Sequence, residues 1–289
     1  MRILVTGASG FTGSFVVPAL VERGHDVTCF VRRSSLTASL PLDRVSLRYG
    51  DLAEPASLET ALQGNEVLVN LASLGFGHAR GILSAARGAA VRRTLFFSTT
   101  AIFTHLDARS KAVRVAAEEA IRSSPLDYTI LRPTMIFGTS RDRNLSRLIR
   151  FLKKWRVVPV PGTGEALQQP VYVEDLARAV VRVIDTDETI GKMYNLSGAR
   201  AVSFNALVDT VAELLDLRTI KVHLPVAAFA AAVSAAKRAS IPLPVSAEQI
   251  LRLTEDKAFD HTEATKDFGY APKPLREGIL LELQEMGLA

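Results

Sequence analysis

The feature that most restricts this chain lies at its start. A β-branched apolar run, Ile3 to Thr6, passes through Gly7-Ala8-Ser9-Gly10-Phe11-Thr12-Gly13 into a helix-forming stretch, Phe11 to Arg23. Glycines at these spacings permit a tight turn, close approach of backbone to a pyrophosphate, and close packing of helix on strand. The amino end of such a helix offers unpaired amides and the positive end of its dipole to an anion. Pro18 falls inside the same helix, where it removes an internal hydrogen bond and predicts a kink.

Further short apolar runs follow at Val27 to Val31, Val45 to Tyr49, Val67 to Leu71, Thr94 to Ser98 and Tyr128 to Leu131. Helical stretches such as Leu58 to Leu62 and Ala108 to Arg122 separate them. This alternation predicts βαβ units and an α/β fold with a doubly wound parallel sheet. Strands that are apolar throughout are expected where helices cover both faces. Beyond Gly138 the pattern becomes a basic helix, a Pro/Gly loop and an alanine-rich stretch, which predicts a smaller, mostly helical C-terminal lobe. The expected division is residues 1–138 for the nucleotide-binding domain, with 165–200 returning to it. Residues 139–164 and 201–289 then form the substrate lobe.

Composition narrows the partners. One cysteine, Cys29, and five scattered histidines leave no material for a disulfide framework or a metal site. The opening MRILVTG reads as a strand rather than a leader, so a cytoplasmic location is the expectation. The formal charge of +5 suits anionic partners. Nucleic acid is not expected, for want of a reader motif. Leu224 to Ala236 is apolar but too short to span a bilayer. It is expected to be a packed helix, with a membrane-surface contact ending at Lys237 and Arg238 as the alternative.

TGASGFTG resembles the TGxxGxxG fingerprint of extended and atypical short-chain dehydrogenase/reductases, the epimerase/dehydratase-like group. Further landmarks match in order: Asp51-Leu52, Asn70-Leu71-Ala72, Ser98-Thr99-Thr100, Leu131-Arg132-Pro133, Tyr172-Val173-Glu174-Asp175 and Phe268-Gly269-Tyr270-Ala271-Pro272. The resemblance implies a Rossmann-type fold that binds NAD(P) through Gly7, Ser9, Gly10, Phe11, Thr12 and Gly13. It also implies that Asp51 and Leu52 flank the adenine, that Leu71, Ala72 and Ser73 line the path to the nicotinamide ribose, and that Pro133 to Ile136 border the nicotinamide. Relatives of this kind often dimerise through two helices, here near Ala79 to Ala89 and Ala108 to Arg122.

An acidic residue after the second strand would bind the adenosine ribose 2′-hydroxyl. Arg32 and Arg33 stand there instead, and two guanidinium groups suit a 2′-phosphate, so NADP(H) is favoured over NAD(H). In the resembled family a Ser/Thr, a Tyr and a Lys four residues later assist hydride transfer. Thr99 and Lys111 match, but the tyrosine position holds Asp107. An aspartate beside a lysine favours its ionised form and is a poor proton donor. An ion pair between Asp107 and Lys111 at a helix start is an equal reading, and His105 is the nearest other acid/base.

On the substrate side, Arg143, Arg147, Arg150 and Lys154 share a helical face that suits a diphosphate, an anionic membrane surface or solvent. Asn144 stands near the position where nucleotide-sugar relatives contact the substrate diphosphate. Gln168-Gln169 stands where those relatives carry Arg-Asp, which weakens that clamp. The favoured reading is an oxidoreductase or epimerase using NADP(H) on a nucleotide-sugar-like or other carbonyl or alcohol substrate. The alternative is a non-catalytic nucleotide-binding sensor or accessory protein.

Overall fold

Apolar side chains that point alternately to opposite faces of the strands build the central layer. Leu4, Leu68, Phe96 and Ile130 pack with one helical layer, while Ile3, Val5, Val69, Leu95 and Leu131 pack with the other. The computed structural model describes residues 1–106, 109–238 and 246–289. The strands among these are β1 (Arg2–Thr6), β2 (Asp26–Val31), β3 (Ser46–Tyr49), β4 (Val67–Asn70), β5 (Arg93–Phe97), β6 (Tyr128–Pro133), β7 (Ile136–Phe137), β8 (Val157–Pro161), β9 (Leu167–Gln168), β10 (Val171–Tyr172), β11 (Lys192–Leu196), β12 (Val202–Ser203) and β13 (Ile220–Leu224). The helices are α1 (Gly13–Glu22), α2 (Pro55–Leu62), α3 (Ala79–Gly88), α4 (Arg109–Arg122), α5 (Leu145–Lys154), α6 (Val173–Ile184), α7 (Phe204–Leu214), α8 (Val226–Arg238), α9 (Ala247–Leu253), α10 (Thr262–Phe268) and α11 (Leu275–Glu285).

Seven parallel strands form the main sheet in the order β11-β6-β5-β4-β1-β2-β3. Helices α1 and α6 cover one face, and α2, α3 and α4 cover the other. This is the Rossmann-type α/β architecture. Strand order reverses between β1 and β4, which makes the carboxyl ends of those two strands the expected ligand crevice.

A third core joins α5, β8, α7 and α11 through Ile149, Leu152, Val160, Leu207, Val211 and Ile279. Two landmarks distant in sequence meet beside α6, where Asp175 Oδ2 accepts from the Lys273 amide at 2.8 Å. Glu282 of α11 is fully buried, and Asp142, just before α5, is almost so. Among the described residues no amide, hydroxyl or cation bonds the Glu282 carboxyl or Asp142 Oδ2; the two carboxyls face each other, and a proton held on Glu282 donates to Asp142. Burial, followed by the Asp142 carboxyl, pushes Glu282 up to about 10.

Some local expectations need correction. β3 is an edge strand, and its Ser46, Arg48 and Tyr49 are exposed rather than apolar and covered. Residues beyond Gly138 also contribute small sheets, β13 pairing parallel with β8 and β12 antiparallel with β9. Helix α8 packs on α9 as expected, with Val233 the one buried residue among its described side chains, so much of it lies at the surface. Helix α1 continues through Pro18.

Candidate functional site

The tip of β1 is locked to that of β4. The Thr6 hydroxyl donates to Asn70 Oδ1 at 2.7 Å, Asn70 Nδ2 donates to Ala72 O at 2.9 Å, and the Leu71 amide donates to Thr6 O at 3.0 Å. The two loops then touch backbone to backbone. Gly7 has φ +69°, and a Cβ there would lie 2.7 Å from the Ala72 nitrogen and 2.8 Å from the Leu71 carbonyl carbon. A Cβ on Gly13 would lie 2.3 Å from Ala8 O, so helix and strand pack at a distance only glycine allows. The turn closes through Gly10 N to Gly7 O at 3.0 Å.

No side chain caps the first turn of α1, which leaves its amino end to an outside anion. Across that end lies a residue the sequence did not single out, since only tertiary contact brings it there. Arg141, from the loop after β7, donates to Ser14 Oγ at 3.2 Å. Gly7 to Gly13, with Leu71 and Ala72 behind them, therefore fit a pyrophosphate.

At the end of β2, Arg32 and Arg33 are exposed, and the Arg33 guanidinium lies over the Tyr49 ring at 5.3 Å from its centroid. Asp51 closes a turn by accepting the Ala53 amide at 2.9 Å, and Leu52 packs against the second core. Toward the nicotinamide side, Ser73 Oγ accepts from Gly75 N at 3.2 Å. Thr99 Oγ accepts from Ala101 N at 3.2 Å, capping a short turn at Thr100–Phe103 and leaving the Thr99 hydroxyl proton to donate elsewhere. Lys111 Nζ donates to Thr104 O at 2.6 Å. Asp107 lies outside the described residues. Pro133 ends β6, and Ile136 begins β7, paired with Val171.

A strap, residues 254–261, ties the second lobe to this region. Glu255 accepts the Thr104 hydroxyl at 2.6 Å and the His105 amide at 2.7 Å. Burial opposes its charge, but those two bonds together with Lys257 hold its carboxyl below the usual range. Phe259 packs on Phe103 at 5.6 Å between centroids, and the Arg132 guanidinium lies over Phe103 while paired with buried Glu118.

Gln168 and Gln169 pin this strap. The Gln168 amide contacts Glu255 O at 3.5 Å and Lys257 Nζ at 3.2 Å. That of Gln169 contacts Gly198 O at 2.7 Å and the Phe259 amide at 2.8 Å. Gln168 is thus engaged at both ends of its amide. Lys257, absent from the sequence reading, is brought down to about 8, chiefly by burial and further by Arg252, with Glu255 opposing. Arg114 is also lowered, by burial and by Arg252, while Arg252 pairs with Glu248 at 3.1 Å and Lys257 donates to Gln168 and to Arg252 O, so carboxylates accompany the cations here.

Asn144 reaches back to Ile136 O at 3.4 Å, which brings two expected site residues together. Asp142 Oδ1, rather than Asn144, accepts the amides that open α5. Arg143 is exposed, and Arg150 is tied locally to Ser140 O and Ser146 Oγ.

Residues 3–197 match the model of the NAD dependent epimerase/dehydratase family. The chain belongs to that family. It is therefore an NAD(P)-binding, oxidoreductase-like protein by kinship. It is 27% identical, over 88% of its own length and 68% of the relative's, to the mitochondrial NADH dehydrogenase [ubiquinone] 1 alpha subcomplex subunit 9 of Arabidopsis thaliana. Over 78% of the chain it is 23% identical to 73% of the photosystem II assembly factor Ycf39 of Cyanophora paradoxa. In fold it superposes on a UDP-glucuronic acid 4-epimerase from Bacillus cereus, solved with UDP-glucuronic acid and NAD. The TM-score is 0.78 at 18% identity, covering 99% of each chain.

Proposed function

We propose that the chain is an NADP(H)-dependent oxidoreductase acting on a carbonyl or alcohol substrate that carries an anionic group. The observation that carries this reading is the pair Arg32 and Arg33 at the end of β2, where an acidic residue would repel a 2′-phosphate, with Arg33 presented on Tyr49. Gly7 to Gly13 would hold the pyrophosphate, and the bound nucleotide supplies hydride transfer. Thr99 has a hydroxyl proton free to orient a substrate oxygen, since its lone pair takes the Ala101 amide. Lys111, anchored on the Thr104 carbonyl, would orient the ribose and stabilise negative charge that develops nearby. The formal charge of +5 supports an anionic substrate.

A second reading is a nucleotide-binding accessory or sensor protein. It is favoured by Asp107 at the tyrosine position and by the likeness to a respiratory subunit and an assembly factor. The discriminating experiment offers NADPH with a panel of nucleotide sugars and small carbonyl compounds while reduced nicotinamide absorbance is followed. Turnover with one substrate class, lost by about 10²-fold or more in Lys111→Met with the fold intact, is the expected result. Tight NADPH binding without turnover on any of them would overturn the enzyme reading in favour of the second.

A further inference from the structure

The chain exposes five consecutive residues, Lys153-Lys154-Trp155-Arg156-Val157, where α5 passes into β8. Trp155 is 54% and Val157 51% exposed. Strand β13 runs parallel to β8 with Ile220 opposite Val157 and Val222 opposite Pro159, so these side chains share one face. Ile220 is 64% and Val222 40% exposed, whereas Val158 and Val160 on the other face are buried. β8 thus packs Val158 and Val160 into the third core, while Val157, Ile220 and Val222 turn an apolar face, with Trp155 at its edge, to solvent. Large aliphatic and aromatic groups gathered in this way mark an interaction surface.

The rim says what kind. Lys153, Lys154, Arg156 and Arg218 are exposed around it, against one carboxylate, Asp216, in the same two segments. The Lys154 ammonium lies over the Trp155 ring, 5.3 Å from its centroid, so a cation and the indole share this edge. Lys221, whose side chain belongs to the other face, is spent on Asp209 at 2.6 Å. Aliphatic groups to enter an acyl boundary, an indole for the interface and cations for headgroup phosphates are the ingredients of in-plane membrane binding. No helix among the described residues is long and apolar enough to cross a bilayer, so binding here is peripheral.

We propose that the β8–β13 face, with Trp155 at its edge, docks this protein on an anionic lipid surface. This is independent of whether the glycine-loop site turns over a substrate.

The chain has one tryptophan, so Trp155 emission reports on this face directly. The full chain is titrated with vesicles of phosphatidylcholine alone and with phosphatidylglycerol added, following emission and co-flotation. The expected result is a blue shift and flotation with the anionic vesicles only, weakened by salt. The shift should vanish in Ile220→Asp/Val222→Asp. Partitioning should fall at least about tenfold in Lys153→Glu/Arg156→Glu, which leaves the apolar face in place. NADPH binding by each variant serves as the check of its fold. No shift and no flotation, or equal partitioning into both vesicle types, would overturn the proposal. So would a blue shift that grows with protein concentration in the absence of lipid, since the face would then be an interface between copies of the chain.

Discussion

Gly7 and Gly13 are fixed by contact with backbone rather than with flexible side chains, so neither position has room for a β-carbon. Gly13→Ala must push α1 off β1 and is expected to abolish NADPH binding and lower the urea midpoint. Gly7→Ala, strained at its positive φ, is expected to weaken NADPH at least about tenfold in a fluorescence titration. Arg33→Ala tests the nucleotide preference. NADPH affinity should fall about tenfold while NADH affinity stays unchanged, because only the former gains from a guanidinium. The glycine loop was legible because its constraints are local in sequence. Arg141 and Glu255 were not, since each acts on a partner more than a hundred residues away.

At the scale of elements, the strap and the buried carboxyl pair make separate predictions. Glu255→Ala removes the acceptor for two donors, Thr104 and His105, ahead of α4, whose first turn carries Lys111, and is expected to cost about 1 kcal/mol in urea unfolding. Glu282 has its folded-state value raised to about 10 from an ordinary one near 4.5. The folded chain therefore holds a proton there that the unfolded chain sheds, and stability falls as pH rises between those values. Glu282→Gln, which is neutral at every pH, should raise stability at pH 7 by on the order of 2 kcal/mol and flatten its decline up to pH 9. A melting series of both proteins across that range checks it. The main-sheet strands were readable from their β-branched runs. β13 was not, although Ile220 to Leu224 alternates with Lys221 and His223 as a strand does, because its partner β8 is distant in sequence and Ile220 and Val222 face solvent rather than a core.

Over the whole molecule, the parallel sheet delivers the carboxyl ends of β1, β2, β4 and β5 to one crevice, and Arg141 and the strap reach toward it from the second lobe. The expected residues at the sheet ends lie where the strand order puts them. Those of the substrate side depend on contacts between lobes, which is why Gln168 serves as a pin for the strap. Central to this account is that Gly7 to Gly13 and the β2 arginines together form a site for NADP(H). Isothermal titration with NADPH and then NADH tests it most directly. The prediction is saturable NADPH binding with one site per chain and affinity about tenfold or more above that for NADH. Absence of binding by either nucleotide would contradict it.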